Sequence, residues 1–197
     1  MANEYAALSV LKQMLGIEDA DISRDVLLTS ALASASRNID TATGRRFYLD
    51  PVASARTYRP ADRTVNDSGG ARLLLDDAGA DPVTVETGSA GTWTALSEYE
   101  TGPDNALARS RPITSLIRAS GGWGTGPARV RVTARWGWPA VPDEIAQATL
   151  IQAARLFKRK DSPEGVTGSA EWGVVRLSRR DPDVWALIEH FVLPGFG

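Results

Sequence analysis

The sequence predicts an α+β protein: a small helical bundle (an N-terminal helix pair plus two C-terminal helices) with an inserted antiparallel β-sandwich or open-barrel-like region. Three observations carry this. Apolar residues recur at helical spacing near both ends of the chain. Between about 51 and 138, short apolar runs alternate with turn residues. Within 129–157 one period gives way to the other. There Val130, Val132, Ala134 and Trp136 fall on one side of a strand, and Arg129, Arg131, Thr133 and Arg135 on the other. Beyond Gly137, Pro139 and Pro142, residues Ala146, Leu150, Ala153 and Phe157 recur at helical spacing. Pro142 suits a first helical turn and Asp143 the positive end of the helix dipole. The expected organisation is residues 1–50 as the first helical part, 51–138 as the β region, and 139–197 as the second helical part with a C-terminal tail.

Residues 3–15 read as a helix capped by Asn3, with a stripe of Tyr5, Leu8, Leu11 and Leu15 and a left-handed end at Gly16. A longer helix is expected over 22–43. Asp21 is its candidate cap, Leu28, Leu32, Ala35, Ile39 and Ala42 form its apolar face, and Gly44 stops it. Candidate strands are 55–59, 72–75, 83–87, 92–96, 113–119 and 129–136. Between them lie Ser68-Gly69-Gly70, Asp76-Asp77-Ala78-Gly79, residues 88–91, Gly102-Pro103-Asp104 and Gly121-Gly122-Trp123-Gly124, all read as turns. Such spacing suits a small sandwich or open barrel. A polar, basic turn follows at 158–165, then an irregular or short β segment over 166–180. A last helix starts at Asp181-Pro182, with Val184, Leu187, Ile188 and Phe191 as its stripe.

Bulk composition excludes more than it assigns. The chain has 197 residues, 43% of them hydrophobic and 23% charged, which is ordinary for a globular protein. Without cysteine there are no disulfides, thiolate metal sites or cysteine nucleophiles. With a single histidine, His190, a histidine metal cluster or a catalytic triad has almost no residues to draw on. The acidic pairs Asp19/Asp21 and Asp76/Asp77 sit where Asp is common for turn and capping reasons. Gly121 to Gly126 lacks the Lys-Ser/Thr of a phosphate loop and reads as a hairpin loop. His190, beside the stripe, reads as a partly buried packing residue. Catalytic residues, metal and cofactor are all expected to be absent. No run reaches membrane-span length, and no secretory signal is expected at the start. A formal charge of −2 gives no global drive toward nucleic acid.

Two features point outward. Arg155, Lys158, Arg159, Lys160, Arg176, Arg179 and Arg180 form a basic cluster. It can pair with acids on another subunit or face phosphate, or be a solvated helix end. Phe191, Val192, Leu193 and Phe196 make an apolar tail with little local core to join. It can dock in a partner's groove or fold back on its own domain.

The chain resembles the head–tail adaptor (head–tail connector) proteins of long-tailed double-stranded DNA bacteriophages. The residues that carry this are Thr43-Gly44-Arg45-Arg46-Phe47 closing the second helix, then Arg135-Trp136-Gly137-Trp138 with Val141-Pro142 leading into an alanine-rich helix. The third part is Lys158-Arg159-Lys160-Asp161-Ser162-Pro163-Glu164-Gly165-Val166 followed by Arg180-Asp181-Pro182-Asp183-Val184, similar to the version in phages of actinobacteria. The β region is longer than in the mostly helical minimal members.

The resemblance implies a virion structural protein without catalysis. It implies a homo-oligomeric ring, usually a dodecamer, in the neck beneath the portal protein, made in a host cytoplasm. Such a ring extends the DNA channel, lets DNA pass without specific binding, and receives the next neck, stopper or tail protein; no membrane is involved. By the same resemblance the C-terminal segment (Phe191, Val192, Leu193, Phe196) reaches the portal. Ring or partner contacts are expected at Trp136, Trp138, Ile145, Ile151, Arg155, Lys158, Arg159, Arg176, Arg179 and Arg180, because rings need heterologous contacts and the helix 143–159 is apolar on two sides. The alternatives are another neck or tail-completion protein, or a β-sandwich module binding carbohydrate or protein through Trp93, Trp123 or Tyr99.

Overall fold

The computed structural model describes residues 3–159, 166–167, 175–176 and 181–193. It divides into two compact units, Met1–Arg45 with Val141–Gly197, and Arg46–Ala140. The architecture is α+β, with five helices and two four-stranded antiparallel sheets among the described residues.

In the helical unit, α1 (Leu8–Met14) starts later than the sequence suggests. Asn3 does not cap it. Residues before α1 are instead held by side chains of α2 (Asp25–Thr43): the Tyr5 N–H donates to Ser36 Oγ, the Tyr5 hydroxyl to Asp40, and Arg37 to the Asn3 carbonyl. Asp21 is not the cap of α2 either. Its carboxylate closes a local turn by accepting from the backbone N–H and hydroxyl of Ser23. The far end of α2 is as expected, with Gly44 left-handed (φ 71°) and its N–H on the Asp40 carbonyl. Helix α4 (Asp143–Arg159) packs against α1, α2 and α5 (Pro182–Ile188). Leu11, Leu28, Leu32, Ala35, Leu150 and Ala153 form the shared core. Lys12 is buried there, with its ammonium 2.7 Å from Asp25 and donating to the Asp19 carbonyl, which satisfies a charge that burial alone would destabilise.

The β unit has two sheets. One orders β1 (Ser54–Tyr58), β8 (Arg129–Ala134), β4 (Thr84–Ser89) and β5 (Thr92–Ala95). The other orders β2 (Thr64–Asp67), β3 (Gly70–Ala78), β7 (Ile113–Arg118) and β6 (Glu100–Gly102). A short helix α3 (Pro60–Arg63) precedes β2, and a two-stranded ladder joins β9 (Val166–Thr167) to β10 (Val175–Arg176) in the other unit. The six expected strands are present. Polar, exposed β2 and three-residue β6 were not expected; both are edge strands that bury too little to leave a pattern. Asp76 and Asp77 are not turn residues but lie in β3, which runs through to Ala78. The loop at Gly121 to Gly126 is not a hairpin loop. It connects β7 to β8 in the other sheet. Its Trp123 is buried and donates from Nε1 to the Ala71 carbonyl at 2.8 Å.

Both sheets contribute to one core. Leu73, Leu75, Ile113 and Leu116 come from one, and Tyr58, Val85, Val130, Val132, Ala134 and Trp136 from the other. The Trp136 ring lies under the Arg56 guanidinium (4.4 Å), and its Nε1 donates to the Ser54 carbonyl at 2.8 Å. Gly137 follows at φ 104°, where a Cβ would sit 1.8 Å from the Tyr48 carbonyl oxygen. Only glycine fits that approach. Trp136→Ala therefore costs about 3–5 kcal/mol, and Gly137→Ala also destabilises. Both are read as lower urea midpoints of the full chain, and unchanged midpoints would contradict this account.

Candidate functional site

The expected contact residues fall into three groups. Trp136 and Trp138 are interior residues, 0% and 7% exposed. Trp138 donates to Asp77 Oδ2 at 3.0 Å and packs on Phe47 with ring centroids 5.2 Å apart. Ile145 is also fully buried. The two-sided apolar character of α4 is satisfied by α1, α2 and α5 of the same subunit. These three side chains thus hold the subunit together and offer no surface to a partner.

Arg155 belongs to a second group, engaged within the unit. Its guanidinium lies 3.1 Å from Asp181, and both side chains are largely buried. Asp181 is the cap of α5, as the sequence suggests, accepting from the N–H groups of Asp183 and Val184. The visible start of the tail is engaged too. Arg45 Nε donates to the Phe191 carbonyl at 2.7 Å, and the Leu193 N–H donates to the Thr43 carbonyl at 2.9 Å. Leu193 covers Gly44, where even a Cβ would lie 3.6 Å from Cδ1. So Phe191 and Val192 are half-buried against the end of α2, while Leu193 stays 43% exposed. His190 is exposed, not partly buried, and stacks on Phe191 at 4.1 Å.

The third group can meet a partner. Lys158 and Arg159 are exposed on the last turn of α4, and Ile151 is half-exposed. Arg176 has its backbone in β10, while Arg179, Arg180 and Phe196 lie outside the described residues. Sequence reasoning missed a further set. Val10, Met14, Ile22, Val26 and Leu27 are all exposed around α1 and the start of α2. The available signal was Ile22 and Val26, four apart and off the Leu28–Leu32 core stripe.

The charged clusters of the β unit are structural. Glu86 takes a bidentate pair of hydrogen bonds from Arg131, both 2.7 Å, and Arg131 also covers the Trp93 ring at 4.4 Å. Those hydrogen bonds hold the Glu86 carboxyl below its ordinary value. Burial pushes Asp76 up, but hydrogen bonds from Arg63 and Arg56 outweigh it and hold this carboxyl low. Burial foremost, with Asp76 nearby, raises the Tyr58 phenol. Among the described residues no group of three or more His, Cys, Asp or Glu side chains is placed to hold a metal, and no helix is long and apolar enough to cross a membrane.

No protein-family model matches the chain, and no curated protein does. Solved structures do. One is the neck of an empty gene transfer agent (GTA) particle computed with C6 symmetry, at TM-score 0.51 and 19% identity, covering 100% of this chain and 98% of that one. Another is the virion of a native GTA particle, at TM-score 0.50 and 18% identity, covering 98% and 92%. At these identities the likeness is one of fold, and it runs through the helical unit and the inserted sheets together.

The carboxyl shifts set a pH dependence. Asp76 and Glu86 titrate lower folded than unfolded, where Asp and Glu sit at about 3.9 and 4.3. Their contribution is complete above the unfolded values and is lost as pH falls through the folded ones. Thermal stability should thus drop below about pH 4. Arg131→Gln should cost more stability at pH 7 than at pH 3; an equal loss at both would exclude the pairing as its source. Asp181→Ala removes the cap of α5 and its ion pair with Arg155, lowering stability by about 1 kcal/mol or more, read by thermal melts.

Proposed function

We propose that the chain is a structural subunit of a virion neck and, within it, a head–tail adaptor. In this reading it assembles as a ring under the portal, extends the DNA channel and offers a surface to the next neck or tail protein. One observation carries the proposal: the fold matches, over the whole chain, a component of a particle neck computed with C6 symmetry. Six-fold symmetry is compatible with a dodecamer, the ring size that the sequence resemblance implies. The action is assembly and not catalysis, with no cofactor.

The segment Phe191–Leu193 and beyond, through Phe196, is the proposed portal contact, with Leu193 as its exposed start. Ile151, Lys158 and Arg159 remain proposed ring or partner contacts, together with Arg176, Arg179 and Arg180. DNA slides through such a ring, and tight phosphate contacts would oppose sliding. A carbohydrate-binding module is disfavoured, since Trp123 is buried and Arg131 covers Trp93. A neighbouring neck or tail-completion protein is the reading that localisation must separate.

Cryo-electron microscopy of intact particles should place the chain in a ring directly on the portal. A position one layer below would transfer the proposal to the neighbouring component. Deleting residues 192–197 should abolish binding to portal-bearing, DNA-filled heads while leaving the circular dichroism spectrum native. Undiminished binding by the truncated chain would sink the tail's role. The isolated protein should bind duplex DNA no tighter than the ordinary non-specific range, about 10⁻⁴–10⁻⁶ M.

A further inference from the structure

Of the large hydrophobic side chains left exposed in the described structure, Val10, Met14, Ile22, Val26 and Leu27 lie on α1, on the start of α2 and on the connection between them, the corner of the helical unit where the Lys12–Asp25 pair draws the two helices together. Val26 is 83% exposed and Ile22 75%. Isolated exposed apolar residues are ordinary, but several on one pair of adjoining helix ends point to a contact surface. The corner is not a misplaced piece of core. Leu28, Leu32, Ala35 and Ile39 form the buried stripe of α2, and Ile22 and Val26 lie off it. Val10 and Met14 stand one turn apart on α1, beside a shallow depression lined by Ser9, Val10, Gln13, Ile17 and Asp19.

Charge says what fits there. The connection between α1 and α2 carries Glu18, Asp19 and Asp21, all exposed, against a single cation, Arg24. Asp25 is already taken by buried Lys12. The corner is therefore apolar with an acidic margin. The helical unit also carries its converse. On the last turn of α4, exposed Lys158 and Arg159 follow half-buried Leu156 and Phe157. Those two pack against the shared core of the helical unit, as Leu15 and Ile17 do. Two complementary, non-identical surfaces on one subunit are what a heterologous, head-to-tail contact requires.

We propose that the corner formed by Val10, Met14, Ile22, Val26 and Leu27 receives the end of α4 (Leu156 to Arg159) of a second copy of this chain. This rests on the ring reading above and names the surfaces that would close the ring. The apolar side chains supply the contact area, and the acidic margin against Lys158 and Arg159 sets direction, so a copy cannot dock corner to corner.

The absence of cysteine makes the test clean. Full-length Val26→Cys carrying a benzophenone maleimide is irradiated over a concentration series, with Thr94→Cys on β5 as control. The expected product is a two-chain adduct from position 26 that maps to residues 156–159 of the second copy, weakens with added salt and is absent from the control. No adduct at the highest concentration, or one mapping elsewhere, overturns the proposal. Native mass spectrometry of Val26→Glu/Leu27→Glu adds a second reading. Loss of the oligomer formed by the parent chain supports the surface. If the parent assembles and the folded variant assembles equally well, the corner is wrong while the ring reading stands. A parent chain found in particles yet single-copy there would remove the ring reading itself.

Discussion

Strand β8 is hydrogen-bonded on both sides, to β1 and to β4, and its inward row of Val130, Val132, Ala134 and Trp136 has no exposure at all. A one-residue slip would turn that row outward, so its register is fixed by burial on one face and by two ladders at once. Trp136 extends the constraint past the end of the strand. Its indole donates to Ser54, its carbonyl accepts the Asp50 N–H, and Gly137 donates to the Asp77 carbonyl. Arg56 lies between that indole and the Asp76 carboxylate, tying β1 to β3 in the other sheet. The charged groups there serve the fold because each has a partner, and the lowered carboxyl values follow from that pairing.

In the helical unit the corresponding element is α4. A helix that is apolar on two sides must be covered on two sides. Here α1, α2 and α5 all pack against it, which explains why Ile145 and Ala148 are buried without any partner chain. The cap of α5, Asp181, also holds Arg155, so an α4 cation and the start of α5 stabilise each other. The tail begins in the same way, with Phe191 and Leu193 hydrogen-bonded to the end of α2.

What was legible in the sequence was what local periodicity encodes. The alternation of β8, the left-handed glycine after α2 and the Asp-Pro start of α5 could all be read directly. The starts of α1 and α2 could not, because the Asn3 carbonyl is taken by distant Arg37 while the Asp21 carboxylate is taken by neighbouring Ser23. The glycine-rich loop was misread because nothing local states which sheet the next strand joins, or that Trp123 will be drawn into the core. The contact residues were least legible. Tryptophan and arginine are enriched at interfaces, but here Trp136, Trp138 and Arg155 each find partners within their own unit.

That internal use bears on where the proposed assembly surfaces lie. An interface residue must be stable enough exposed for the subunit to fold, yet gain on contact. Aromatic and guanidinium groups already paired within the chain gain little from a partner, because the pairing would have to be broken first. The groups that still gain are aliphatic side chains left in water and cations at a helix end. Val26 at 83% exposure stands to gain more by burial than Trp138 at 7%, although tryptophan is the larger side chain. The surfaces proposed for assembly are therefore the least conspicuous by residue type, and they are found by asking which side chains the subunit's own fold has left without cover.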